Sequence, residues 1–198
     1  MLYNRLITTF TELIHEPMIH PYDRASKWSI LEHSKRLLNK TLEEAIIPDQ
    51  IEDEFRGKGR LGQLVEKYFF GYDINSNQEA DFSEAGLELK CTPLKELTTK
   101  VLAIKERLVL TMIDFSEDHK KPFEESHVYL KCMFMLILFY LHEAGIPVHQ
   151  LKFIYSILWQ IPDKDLLIMK QDYETIIGKI KAGKAHELSE GDTTYLGA

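Results

Sequence analysis

Cysteine is scarce in this chain: Cys91 and Cys132 stand far apart and in no CxxC or Cys/His ligand spacing. That scarcity implies no disulfide framework and no zinc site, and it points to reduced thiols in a cytoplasmic protein. Long apolar runs are lacking too. The longest, CMFMLILFYL from Cys132 to Leu141, covers ten residues, where a membrane helix needs about 20. The opening MLYNRLITTFTELIHEP is broken by polar and charged residues too often for a signal peptide. Neither an internal repeat nor a low-complexity linker is present. With 198 residues, the chain is long enough to bury a core without staples, and it reads as one soluble domain with no membrane partner.

An excess of positive charge is also missing. The formal net charge is −7, which on its face speaks against nucleic acid. The charge is unevenly placed, however. Thr41 to Phe55 (TLEEAIIPDQIEDEF) holds six acids and no base, and RGKGR (Arg56 to Arg60) follows at once with three bases and two glycines. Lys90 to Arg107 carries five Lys or Arg against two Glu. Charges beyond a Debye length of about 10 Å are largely screened, so a local basic surface can bind phosphates on an acidic protein.

Periodicity divides the chain. NRLITTFTELIH, RASKWSILEHSKRLLN and the short acidic TLEEAI predict helices, and LGQLVEKYFFG predicts another, with Leu61, Leu64, Val65 and Tyr68 on one stripe and Gly71 as its C-cap. From Asp81 the pattern changes to strands: GLELKCTPL, ERLVLTMIDF, the apolar run to Leu141, and LKFIYSILWQI. PDKDLLIMKQDYETIIGKIKAG predicts a closing helix. The order implies an α/β or α+β fold, a mixed β-sheet flanked by helices.

One strand mixes acid and base. In GLELKCTPL, alternation puts Leu87, Leu89 and Cys91 toward a core and Glu88, Lys90 and Thr92 on the other face. Asp81 precedes Glu88 in the spacing D-x(6)-E-x-K, the general form of the PD-(D/E)xK nuclease motif. Paired carboxylates can hold Mg²⁺, a hard ion with oxygen ligands, and a nearby lysine can orient a water and offset charge on a phosphoryl group. The plainer reading is an exposed Glu88–Lys90 ion pair on an edge strand, worth roughly 0–1 kcal/mol. A second acid-x-Lys triplet, Asp118-His119-Lys120, lies in a stretch that reads as an exposed loop. On the motif alone the plainer reading is the favoured one.

Its context does more. KGRLGQLVEKYFFG, ADFSEAGLELKCTPL and ESHVYLK occur in that order, and together they closely resemble the MutH-type GATC endonucleases, a family of mismatch-repair nicking enzymes and type II restriction enzymes. The resemblance runs from about Ala25, through EHSKRLLNKTLEEA, to KAHELSEGDTTYL. KERLVL and HELSEG…YL look closer to the restriction enzymes. It implies a restriction-endonuclease-like PD-(D/E)xK fold, Asp81 and Glu88 as Mg²⁺-binding carboxylates, Lys90 as the water-orienting lysine, Glu66 as a helix-borne acid beside the metal, and Lys131 as a second base at the scissile phosphate. Arg56, Lys58, Gly59 and Arg60 are the expected contacts to double-stranded DNA, because glycines let backbone amides approach a phosphate closely.

The plainer alternatives are a solvated helix face for Glu66, a snorkelling Lys131, a structural His127, and glycines as punctuation. The expected organisation is one catalytic domain over 1–198, with a helical part at 1–56 and a sheet core with its C-terminal helix at 57–198, forming an N-terminal portion of a longer enzyme. A second MutH-like domain or a homodimer on DNA is the expected partner. Beside a GATC-cutting restriction enzyme stand three other readings: a MutH-like nicking endonuclease, a non-catalytic DNA-binding or regulatory module of the same fold, and a helix-rich protein-interaction domain suggested by the acidic stretch.

Overall fold

A computed structural model describes residues 21–46, 59–73, 79–114 and 116–197. The expected helix NRLITTFTELIH, most of the acidic stretch, and Arg56 and Lys58 lie outside the described residues.

Four strands form one mixed sheet. β1 (Glu88–Glu96), β2 (Leu102–Ile104), β3 (Phe134–Leu141) and β4 (Phe153–Gln160) are ordered β2-β1-β3-β4. β1 runs parallel to β3, from Glu88 opposite Met135 to Leu94 opposite Leu141. β4 is antiparallel to β3, with an irregularity at Phe139/Tyr140. β2 is antiparallel to β1 but pairs only with Leu94 to Glu96. The first half of β1 is therefore bonded to β3 on one side and, among the described residues, carries no strand on the other.

Helices and turns pack around this frame in two apolar clusters. α1 (Lys27–Ser34) starts at Ser26, whose hydroxyl accepts the Ser29 N–H, and α2 (Leu42–Ala45) is closed by a reciprocal Thr41–Glu44 capping box. Ile30, Leu31, Leu37 and Leu42 join Leu61, Leu64, Val65, Phe69 and Phe70 against Leu87, Leu89, Leu136, Leu138 and Phe153. A second cluster unites α4 (His127–Cys132) and α5 (Asp163–Lys181) through Phe123, Val128, Cys132, Met169, Tyr173 and Ile176. The result is the α+β arrangement that the residue pattern implied. No helix among the described residues is long and apolar enough to cross a membrane.

Local expectations fared unevenly. The helix from Leu61 exists, but α3 (Arg60–Leu64) widens into a π-turn over Val65–Phe69, with the Phe70 N–H bonded to the Val65 carbonyl at 3.0 Å. Gly71 ends it at φ +72°, the left-handed conformation of a C-cap. The strand expected over ERLVLTMIDF is corrected: among the described residues, no backbone group from Glu106 to Ile113 bonds to another backbone group. The apolar alternation there is real, with Leu110 and Ile113 packed on the second cluster, yet no neighbouring strand supplies a ladder. Asp118, expected in an exposed loop, is fully buried. Its carboxylate accepts the Asp114 N–H at 2.8 Å, and the Tyr173 hydroxyl donates to its carbonyl at 2.8 Å.

The C-terminal segment is held by one carboxylate. Asp172, 5% exposed on α5, accepts the backbone N–H groups of Thr194 at 2.9 Å, Tyr195 at 2.6 Å and Leu196 at 3.1 Å. Leu196 is thereby drawn into the second cluster. Removing the acceptor leaves the N–H of buried Leu196 unsatisfied, at about 1–3 kcal/mol, whereas the amides of exposed Thr194 and Tyr195 can turn to water. Asp172→Ala is expected to lower the unfolding free energy by about 1–3 kcal/mol, measured by urea denaturation; an unchanged midpoint would show that the segment docks without the Asp172 bonds.

Candidate active site

The turn before β1 brings Asp81 and Glu88 together. Phe82 and Leu87 pair across it through two backbone hydrogen bonds, a single 3₁₀ turn fills Ser83–Ala85, and Gly86 closes it at φ +58°. Phe82 and Leu87 are fully buried and anchor the turn in the first core. The two acids then lock each other. The Asp81 N–H donates to Glu88 Oε2 at 3.3 Å, and the Leu89 N–H donates to Asp81 Oδ2 at 2.9 Å.

Glu88 also collects two cations. Lys90 Nζ lies 2.8 Å from Glu88 Oε1, and Lys131 Nζ reaches the same oxygen at 3.3 Å. Lys131 arrives because α4 leads into β3, where Met135 stands opposite Glu88. The exposed-pair reading fails on burial: the Glu88 side chain is 2% exposed and those of Lys90 and Lys131 are 18% and 17%. A carboxylate held at this depth needs its partners, since a buried charge left alone costs several kcal/mol. Lys131 is likewise committed to Glu88 rather than reaching for solvent.

Asp81, Glu88 and Lys90 open onto a pocket of about 510 Å³ along the uncovered edge of β1. Glu66 enters it from the π-turn, beside Gly62 and Gln63 of α3 and Gly59 at its N-cap. Glu66 is 9% exposed and so departs from the plainer alternative of a solvated helix face. Burial first, and then the charges of Asp81 and Glu88, push the Glu66 carboxyl up to about 7, against Lys131 and Lys90. Asp81 is raised for the same reasons, burial and then Glu88, and the Leu89 N–H opposes the rise. Both cysteines adjoin this centre. Burial pushes the thiols of Cys91 and Cys132 up to about 12, so neither is a nucleophile near neutral pH.

Of the other expected residues, Gly59 lines the pocket, and half-buried Arg60 stands at the first turn of α3 without lining it. His127 is buried with Nδ1 at 3.4 Å from Asp118 Oδ1, away from the pocket lining, in keeping with a structural role. Residues 106–109 form part of the pocket wall, which the strand-like pattern of that segment did not foretell. Among the described residues, no three His, Cys, Asp or Glu side chains converge closely enough to enclose a metal ion. The donor chemistry nevertheless suits a hard divalent cation: Glu66, Asp81 and Glu88 line one pocket, the charges of Asp81 and Glu88 raise the proton affinity of Glu66 and that of Glu88 raises Asp81, and all three offer oxygen.

Fold and pocket together define an α+β protein with a carboxylate-and-lysine centre at the open edge of a mixed sheet. The family model described as DNA mismatch repair enzyme MutH matches residues 70–172. The chain belongs to the MutH family. It is 37% identical to the type II restriction enzyme Sau3AI of Staphylococcus aureus over 143 residues, 71% of this chain and 29% of that protein. To the DNA mismatch repair proteins MutH of Shewanella amazonensis and Shewanella woodyi it is 34% and 30% identical, over 68% of this chain and 58% and 56% of theirs. The chain thus spans little more than half the length of these repair proteins and under a third of the restriction enzyme.

The raised proton affinity of Glu66 has a stability consequence. In an unfolded chain a glutamate ionises near ~4.3, whereas here it resists until about 7. Folded stability is therefore lost as pH climbs from the lower value through the higher one. Glu66→Gln removes that loss: in EDTA the variant is expected to be more stable than the native chain by about 1–3 kcal/mol at pH 8, with the gain vanishing below about pH 5. Urea denaturation at the two pH values measures it, and a pH-independent difference would contradict the charge-crowding account.

Proposed function

We propose that the chain is the catalytic part of a divalent-metal-dependent DNA endonuclease that hydrolyses phosphodiesters of duplex DNA at GATC sites, in the manner of a type II restriction enzyme. The observation that carries this reading is the Asp81–Glu88 lock with Lys90 and Lys131 both on Glu88, at a pocket open along β1. Family membership and the higher identity to the restriction enzyme than to the repair proteins support it.

Asp81, Glu88 and Glu66 would hold Mg²⁺, which supplies Lewis acidity toward a phosphoryl oxygen. The chain's own groups do the rest. Glu88 holds Lys90 at 2.8 Å, which supports a role for the ammonium in aligning a water for in-line attack. Lys131, on the same carboxylate oxygen, places a second positive charge beside the phosphate as negative charge builds on its oxygens. The uncovered edge of β1 gives a nucleic-acid strand access without displacing a β-strand.

The test uses plasmid in defined methylation states, Mg²⁺, and mapping of the ends. Native chain is expected to cut at GATC. Lys90→Ala is expected to lose about 10²–10³ of the rate while still binding duplex in Ca²⁺. Cutting by Lys90→Ala at the native rate would remove the lysine from the chemistry, and cutting undiminished in EDTA would remove the metal. Nicks confined to one strand would point to the repair-type reaction instead.

A further inference from the structure

The charges around the pocket are unevenly committed. Glu66, Asp81, Glu88 and Glu106 line it, and the bases on its lining are Lys90 and Arg107. Lys90 is tied to Glu88 Oε1 at 2.8 Å, as is Lys131 at 3.3 Å. A polyanion approaching this acidic mouth therefore meets cations already shared with a carboxylate. Arg107 differs from both. Its side chain is 86% exposed, and its ion pair with Glu190 is a 3.5 Å contact between two exposed groups, an interaction that contributes little and is readily exchanged.

A second, independent observation lies in the backbone that carries it. From Glu106 to Ile113 the main chain is without backbone partners among the described residues, although Arg107, Leu108 and Val109 form a wall of the same pocket as Asp81, Glu88 and Lys90. Amide N–H groups without a ladder are available donors, and phosphate oxygens take such donors together with guanidinium groups. A planar guanidinium also matches two phosphate oxygens at once, which an ammonium does not.

We propose that Arg107, on the wall Glu106–Val109, is a substrate-positioning residue that grips a backbone phosphate of the bound DNA strand next to the phosphodiester held at Asp81, Glu88 and Lys90. The contact rests on the endonuclease reading and extends it to a residue outside the D-x(6)-E-x-K motif. It replaces the Glu190 contact and partly offsets the repulsion between the acidic pocket and the strand. Being a phosphate contact, it adds affinity and register without adding base selectivity.

The experiment titrates native chain and Arg107→Ala with a short duplex carrying one GATC site and with a duplex lacking it, by fluorescence anisotropy in Ca²⁺ over a KCl series. Arg107→Ala is expected to bind both duplexes about 5–20-fold more weakly, with the slope of log affinity against log salt shallower by about one. A side chain this exposed is not needed for folding, and a merely structural role would leave the salt slope unmoved. Equal affinity and equal slope in the two proteins would overturn the role of Arg107 while leaving the nuclease reading intact. Failure of the native chain to bind or cut either duplex would overturn the nuclease reading and this contact with it.

Discussion

The buried carboxylate of Glu88 is the interaction on which the rest of the site depends. It takes the Asp81 N–H on one oxygen and both ammonium groups on the other. Three elements are thereby fixed to one point: the turn before β1, β1 itself and, from 43 residues away in sequence, the end of α4. Desolvating that charge is costly, and the cost is offset only while all three partners are present.

The pocket exists because of where strands stop. β2 pairs only with Leu94 to Glu96, so the acidic half of β1 keeps one free side, and α3 with the segment after β2 forms the walls. A longer β2 would have sealed the edge with a hydrogen-bond ladder. Both the fold's stability and its accessibility trace to the same strand, whose inner face carries Leu87 and Leu89 into the core while its outer face carries Glu88 and Lys90.

Much of this was readable in the residues. Alternation in GLELKCTPL placed the apolar and charged faces correctly, the Asp81–Glu88 spacing corresponds to one closed turn, and PDKDLLIMKQDYETIIGKIKAG became α5. Other features depend on contacts that pattern does not encode. ERLVLTMIDF has the composition of a strand, but a strand needs a partner in space, and the described residues offer none. The burial of Asp118 follows from Tyr173, 55 residues away. Glu66 beside Lys67 looks like any charged helix pair, and only the tertiary approach of β1 sets it among acids.

The π-turn at Val65–Phe69 bears on how this region tolerates insertion and deletion. In an ordinary α-helix Glu66 would stack over Phe70, four residues on, and both would face one way. The wider turn, closed by the Phe70 N–H on the Val65 carbonyl, lets the carboxylate look into the pocket while Phe70 packs edge-on against Tyr22 and Phe82. Excising one residue from Lys67–Tyr68 would let the backbone relax to regular α geometry, because the wide turn holds one residue more than an α-turn, and it would set Phe70 three residues from Glu66 instead of four. The helix would survive such an excision, and the choice between acid in the pocket and aromatic in the core would not.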